Sequence, residues 1–455
     1  MKTPLGFFFQ NIEIGGDTLR LSRLFLPFFI DQVLRNLMSI AIVFMMGRYS
    51  DDLVASIGVA VQVMHMVIML LTTIGVGGAV VISQYIGNDD HDRASKAAAL
   101  TLLITTSLGL IFGISGAIFA PSIMVAMQLE AHLVPDAVAF FRIIAISGVL
   151  LGPLAAFYAI SNSYGKPKNT MLTVMLMNFI YLIGCYIVIF RPFETPLEGA
   201  LGIGIARGVS ELVAIIFMIW LITRMKLGIS LRGVGKAAIK IFKDILKIGI
   251  PGGIEVFSLT FSQLIATGFI ASMGSVAITT RIYIQNITLV IFLASGAISQ
   301  ATAILIGRFV GAGRFDEADR LNWRSLRLTM IINSSLAFIV VLLRYPLLEI
   351  FTSNPEIINL GAGILIINFF AEVFRSINII EQQALQAAGD ARFKMVVSVC
   401  ACWLIGLGFA WVLGFHFALG LYGFWIAFAM EEATRGIIAV FRWKSKKWTT
   451  KKLTN

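Results

Sequence analysis

Apolar runs of about twenty residues recur from one end of the chain to the other, each long enough to cross a ~30 Å hydrocarbon core as a helix. Twelve such spans are predicted: 24–46, 54–84, 95–120, 134–163, 170–190 and 199–223, then 248–271, 277–307, 321–343, 357–387, 393–414 and 419–441. Only 13% of the residues are charged and mean hydropathy is +0.88, whereas a soluble domain carries about 25% charged residues. No stretch shows the strand-length alternation of an outer-membrane barrel. The fold class is therefore an all-α polytopic membrane protein. Tyr164-Gly165-Lys166-Pro167-Lys168 and Arg191-Pro192 with Pro196 mark breaks between spans. After Phe7-Phe8-Phe9 no small-residue cleavage site follows, so Met1 to Arg23 reads as no removable signal peptide.

The net charge of +11 would suit a nucleic-acid partner if it were clustered, but its placement argues against one. Of 36 Lys and Arg, 27 fall at the two termini, in the even-to-odd loops or in the first two turns of the spans that follow those loops, Lys394 among them. Three (Arg48, Arg191, Arg344) fall on the opposite side and six (Arg35, Arg142, Arg207, Arg281, Arg375, Arg435) inside spans. This bias predicts a bacterial inner (plasma) membrane protein with both termini cytoplasmic. The domain expectation is an N-terminal six-helix bundle (1–223), a basic amphipathic linker (224–247), a C-terminal six-helix bundle (248–441) and a basic tail (442–455). In the linker Lys236, Lys240, Lys243 and Lys247 stand opposite Ile239, Phe242, Ile245 and Leu246. Either a helix lying on the membrane surface or a tether with solvated lysines fits.

Cys185, Cys400 and Cys402 lie in apolar spans without C-x-x-C spacing and read as packing residues. Gly233-Val234-Gly235-Lys236 lacks the spacing and the preceding strand of a phosphate loop. The four histidines are scattered, so neither an ATPase nor a membrane-embedded hydrolase is indicated. No cofactor is expected, and an ion gradient is left as the energy source.

The second constraint is self-similarity at one offset. Pro27 and Pro251 stand 224 residues apart, as do Ile30 and Ile254, Gly87 and Gly311, Asp92 and Asp316, Gly165 and Gly389, and Gly199 and Gly423. Chance apolar similarity would not persist through polar loops. Each half holds an even number of spans, so both enter the membrane in the same direction. Parallel repeats of this kind are a transporter architecture, with alternating access to a substrate site near the midplane.

These residues resemble the multidrug and toxic compound extrusion (MATE) family over nearly the whole chain. Its halves open on a helix with an early proline, as in Leu26-Pro27 and Gly249-Ile250-Pro251. Its second helix ends in a stretch like Ser83-Gln84-Tyr85-Ile86-Gly87, and its tenth in one like Leu385-Gln386-Ala387-Ala388-Gly389-Asp390-Ala391-Arg392-Phe393. The resemblance implies export of organic cations or amphiphiles in exchange for sodium ions or protons. A flippase for a lipid or lipid-linked substrate, a relative within the same broad superfamily, is the alternative. The partners expected are small molecules and the lipid bilayer, not nucleic acid, and the chain is expected to be a monomer.

Ionisable groups at membrane depth are costly and mark functional candidates. The tenth span is richest: Glu372, Arg375, Ser376, Asn378, Glu381, Gln382, Gln383 and Gln386. Glu372 and Arg375 share a face and either neutralise each other or couple an ion. Glu381 has no local partner. In the seventh span Glu255 follows Pro251 by four residues, where the resemblance implies a cation or proton role, a sodium ion included; the bland reading is a carboxylate tied to a neighbouring helix. Its repeat partner Asp31 can pair with Arg35. Asn178 matches an asparagine that many family members carry, or is a packing amide. Two departures stand out: Ile42 replaces an acid that many members carry in the first helix, and Arg375 replaces one in the tenth. Arg207 with Glu211, and Glu431 with Arg435, are expected to close within their own helices.

Overall fold

A computed structural model of the chain describes residues 6, 8–49, 51–127, 129–192, 197–227, 229 and 236–454. Gly233 to Gly235 and Pro196 lie outside the described residues. Strands β1 (Ile12–Ile14) and β2 (Asp17–Leu19) form an antiparallel hairpin with Ile12 opposite Leu19. Gly15 and Gly16, both at positive φ (57° and 71°), make its turn, the backbone that a two-residue hairpin loop requires.

Long helices follow: α1 (Leu21–Tyr49), α2 (Asp51–Gly87), α3 (His91–Ala126), α4 (Val134–Ser163), α5 (Pro167–Phe190) and α6 (Gly199–Arg224). The second series is α7 (Lys236–Ala271), α8 (Ser275–Gly311), α9 (Phe315–Leu342), α10 (Pro355–Ala387), α11 (Ala391–His416) and α12 (Gly420–Lys444). A short helix, Arg344–Glu349, links α9 to α10. The sequence repeat recurs in the helix boundaries: α2 and α8 begin and end 224 residues apart, α3 and α9 begin so, α4 and α10 end so, and α5 and α11 begin so. The halves differ inside their helices. A 3₁₀ turn at Gly148–Leu150 interrupts α4, while α11 passes into π-helical turns at Cys402–Phe409 and Val412–His416.

Among the described residues eleven helices are long and apolar enough to cross a membrane. The twelfth expected span is α12, of 25 residues, ~37 Å at 1.5 Å per residue. It falls short in apolarity and not in length, because Glu431, Glu432 and Arg435 stand together inside it.

Packing groups residues 30–86 and 90–250 into one compact unit, the N-unit, and residues 1–29, 87–89 and 251–455 into a second, the C-unit. The hairpin and the start of α1 therefore belong with the C-terminal half. There Ile12, Ile14, Leu19, Leu21 and Leu24 join a core with Leu305, Phe309, Leu385 and Trp443.

Two expectations about the basic segments change. The linker does not end before the seventh span: α7 runs without a break from Lys236 through Pro251. Its first turns bury Ala238, Ile241, Ile245 and Ile248, while Ile239 and Phe242 are exposed alongside Lys240, Lys243 and Lys247. The buried stripe is the one in phase with the rest of α7, and Gly77 of α2 sits so close to the Ile245 carbonyl that a Cβ there would lie 2.7 Å from it. The basic C-terminal segment folds back as well. Trp448 is fully buried and stacks on Trp443 at 4.2 Å between ring centroids, and the Trp443 indole donates to Asp319 Oδ1 at 2.8 Å. Of the cysteines, Cys185 and Cys402 are buried as expected of packing residues, but Cys400 is exposed.

Candidate functional site

In the C-unit the charges expected inside the spans converge. Pro251 lies within α7, and Glu255 one turn later is almost fully buried. Lys394 of α11 approaches Glu255 Oε2 to 3.3 Å, and Arg435 of α12 approaches Oε1 to 3.6 Å. Arg435 also pairs with Glu431 at 3.2 Å, one turn earlier in α12. Gly406 of α11 makes room for that glutamate, since a Cβ there would run into its carboxylate.

The next residue of α12, Glu432, carries the network to α10. It accepts from Arg375 Nε at 3.1 Å and from the Asn378 amide at 2.6 Å. Arg375 also donates to Glu372 at 2.5 Å, so the pairing expected between these two forms and the arginine is shared with α12. Asn368 donates to Glu372 and accepts from the Trp425 indole. A cavity of about 550 Å³ opens on Arg375, Glu431, Glu432 and Arg435, with Gln263, Thr288 and Asn368 beside them. On its wall Gln263 also accepts from Arg281 at 3.0 Å.

Glu381 is held differently. It is fully buried, its Oε1 accepts from the Asn322 amide of α9 at 2.8 Å, and its Oε2 meets no protein donor among the described residues. Asp31, Glu211, Glu255, Glu372, Glu431 and Glu432 each have an arginine or lysine within 4 Å. Glu381 has an amide in that place.

The N-unit holds a cavity of about 340 Å³ lined mostly by aliphatic and methionine side chains, including Ile42, Met46, Met64 and Met177. Its polar wall includes Arg35, Ser39, His65, Asn178, Arg207 and Glu211. Asp31 pairs with Arg35 at 3.1 Å and Arg207 with Glu211 at 2.7 Å, each within one helix as their spacing predicts. Asn178 donates to the Val174 carbonyl of its own helix at 3.0 Å while it faces the cavity. Where the resemblance would place an acid, Ile42 offers the cavity a hydrocarbon wall.

Of the six candidate residues, Glu255, Glu372 and Arg375 thus share one network in the C-unit, Glu381 stands apart from it, and Asp31 and Asn178 belong to the N-unit. Sequence reasoning missed Lys394, Glu432 and Asn322. Glu432 had a signal, as a second acid beside Glu431 in an apolar span. Lys394 was counted with its loop, and only the packing of α11 turns it inward.

Among the described residues twelve long helices in repeated order, with ion pairs and amides turned into internal cavities, define a polytopic helical membrane protein. The MatE family model matches residues 27–187 and again 251–412, one match in each half of the repeat. The chain is 35% identical over 440 residues to the uncharacterized transporter YisQ of Bacillus subtilis, covering 96% of each chain. It is 25% identical over 437 residues to the probable multidrug resistance protein NorM of Thermotoga maritima, covering 96% of this chain and 94% of that one. Its fold is similar to that of a MATE crystal structure in the bent conformation, with a TM-score of 0.86 at 19% identity and 96% coverage of both chains. A MOP superfamily transporter from Pyrococcus furiosus is similar at a TM-score of 0.84 and 18% identity, with 94% and 95% coverage. The chain belongs to the MATE family of transporters.

Proposed function

We propose that this protein is a secondary active antiporter, exporting organic cations or amphiphilic drugs in exchange for sodium ions or protons by alternating access. It works as a monomer in the bacterial inner membrane with both termini cytoplasmic. The observation that carries this reading is Glu381, a carboxylate buried within a span and partnered by an amide and not by a fixed cation. An uncompensated charge at that depth is expensive, and a mobile cation arriving at the carboxylate removes the expense. The relatives named as multidrug resistance proteins support small organic substrates, and the methionine-lined cavity of the N-unit suits them, since thioether side chains repack around varied shapes. A flippase for anionic lipids would be served by a cationic cavity. Here Arg207 is matched by Glu211 on the N-unit wall, and Arg375 and Arg435 by Glu432 and Glu431 on the C-unit wall.

The test is efflux of a fluorescent cationic dye from proteoliposomes under an imposed pH or sodium gradient, with wild type and Glu381→Gln compared. Wild type is expected to move dye only while a gradient stands, and Glu381→Gln to lose that coupling. Transport that continues after both gradients are collapsed excludes antiport. Coupling unchanged in Glu381→Gln removes the carboxylate from its role.

A further inference from the structure

We propose that Lys394 is a built-in counter-cation that takes the place of a metal ion at Glu255, and so determines that this transporter does not use sodium there. The inference rests on the antiporter reading and excludes one ion at one of its carboxylates. A hard monovalent or divalent cation is held by several oxygen ligands, and the surroundings of Glu255 offer the opposite. Its two carboxylate oxygens meet the Lys394 ammonium and the Arg435 guanidinium, at 3.3 and 3.6 Å. The neighbouring hydroxyl one turn on, Ser258 Oγ, already accepts from the Trp403 indole at 2.7 Å. The residues present do not fit sodium.

Lys394 is positioned for this task. Although it is a lysine near a helix start, it is only 9% exposed. Its ammonium is held from two sides, by Glu255 of α7 and by Gln386 Oε1 of α10 at 2.7 Å. Such a side chain ordinarily extends toward water; here it turns inward, where burial is tolerable only against an opposite charge.

The repeat supplies an independent argument. The residue 224 positions before Lys394 is Thr170, whose hydroxyl donates to Asn162 at 2.9 Å, so the fold does not demand a lysine at the start of this helix. The residue matching Glu255 is Asp31, and it is satisfied by Arg35 of its own helix. The lysine appears only in the half whose carboxylate has no cation one turn away on its own helix. A sodium ion brought to Glu255 would sit beside two fixed positive charges.

Binding of radioactive sodium to the purified full-length protein tests this without requiring transport. Wild type is expected to show no saturable binding that depends on Glu255. Lys394→Thr, which installs the hydroxyl of the repeat partner, is expected to bind roughly tenfold more sodium at subsaturating concentration. Adding Glu255→Gln to that variant is expected to abolish the gain. Saturable sodium binding by wild type that Glu255→Gln removes would overturn the proposal, as would a monodisperse Lys394→Thr protein that gains none. If Lys394→Thr fails to fold, the wild-type and Glu255→Gln arms decide alone. Dye efflux that needs neither gradient would sink the antiporter reading and leave the binding result standing.

Discussion

The N-unit and the C-unit carry charge inside their helices in different ways. In the N-unit the pairs close locally: Asp31 with Arg35, and Arg207 with Glu211, each four residues apart on one helix. In the C-unit the local pairs, Glu372 with Arg375 and Glu431 with Arg435, are joined by contacts that run between helices. Glu255 of α7 meets Lys394 of α11 and Arg435 of α12, Arg375 of α10 meets Glu432 of α12, and Asn322 of α9 meets Glu381 of α10. The repeat shows how much of this is added to the shared fold. At the offset of 224, Glu372 corresponds to Gly148, Arg375 to Leu151, Glu381 to Phe157, Glu432 to Gly208 and Asn322 to Ala98. A Cβ at Gly148 would displace the end of the Met64 side chain. The same helical framework therefore stands without these polar groups, and the C-unit carries them at a cost that packing alone does not require.

That contrast can be broken by substitution. The largest effect is expected from Arg375→Met, which leaves Glu372 and Glu432 buried without their shared cation. Removing one partner of a buried pair costs about 3–5 kcal/mol, to be read as a fall in thermal stability of the detergent-solubilised protein. Gly406→Ala comes next, because its methyl group pushes aside the Glu431 carboxylate that pairs with Arg435; a buried polar group left without its partner costs about 1–3 kcal/mol. Glu381→Gln keeps the size of the side chain and can keep the bond from Asn322, so stability is expected to hold while gradient-coupled dye efflux falls roughly tenfold, or ~1.4 kcal/mol. Phe157→Leu at the matching position in the N-unit is the control that should leave coupling intact. The smallest effect belongs to Arg35→Gln. With 43% of its side chain exposed, this pair is worth about 0–1 kcal/mol, and a loss as large as that of Arg375→Met would erase the distinction between the units.

The spans and the repeat were legible in the sequence because both are written in local patterns, apolar length and recurrence through polar loops. The pairs four residues apart were legible for the same reason. The hairpin was not, since strands of three residues are too short to show alternation. The continuation of α7 through the basic segment was hidden because its lysines invite a surface reading. Which apolar stripe is buried there, Ile241 and Ile245 and not Ile239 and Phe242, is decided by the helix that packs against it. In the site, the acids were visible one by one. Their partners Lys394, Asn322 and Glu432 lie on other helices, and no spacing within one helix reports a contact between two.

The most direct test of the account is the initial rate of dye efflux from proteoliposomes under a pH gradient alone, measured against the rate under a sodium gradient alone. The pH gradient is expected to drive efflux, and no part of any sodium-driven rate is expected to depend on Glu255. Efflux driven by sodium alone and abolished by Glu255→Gln would contradict it.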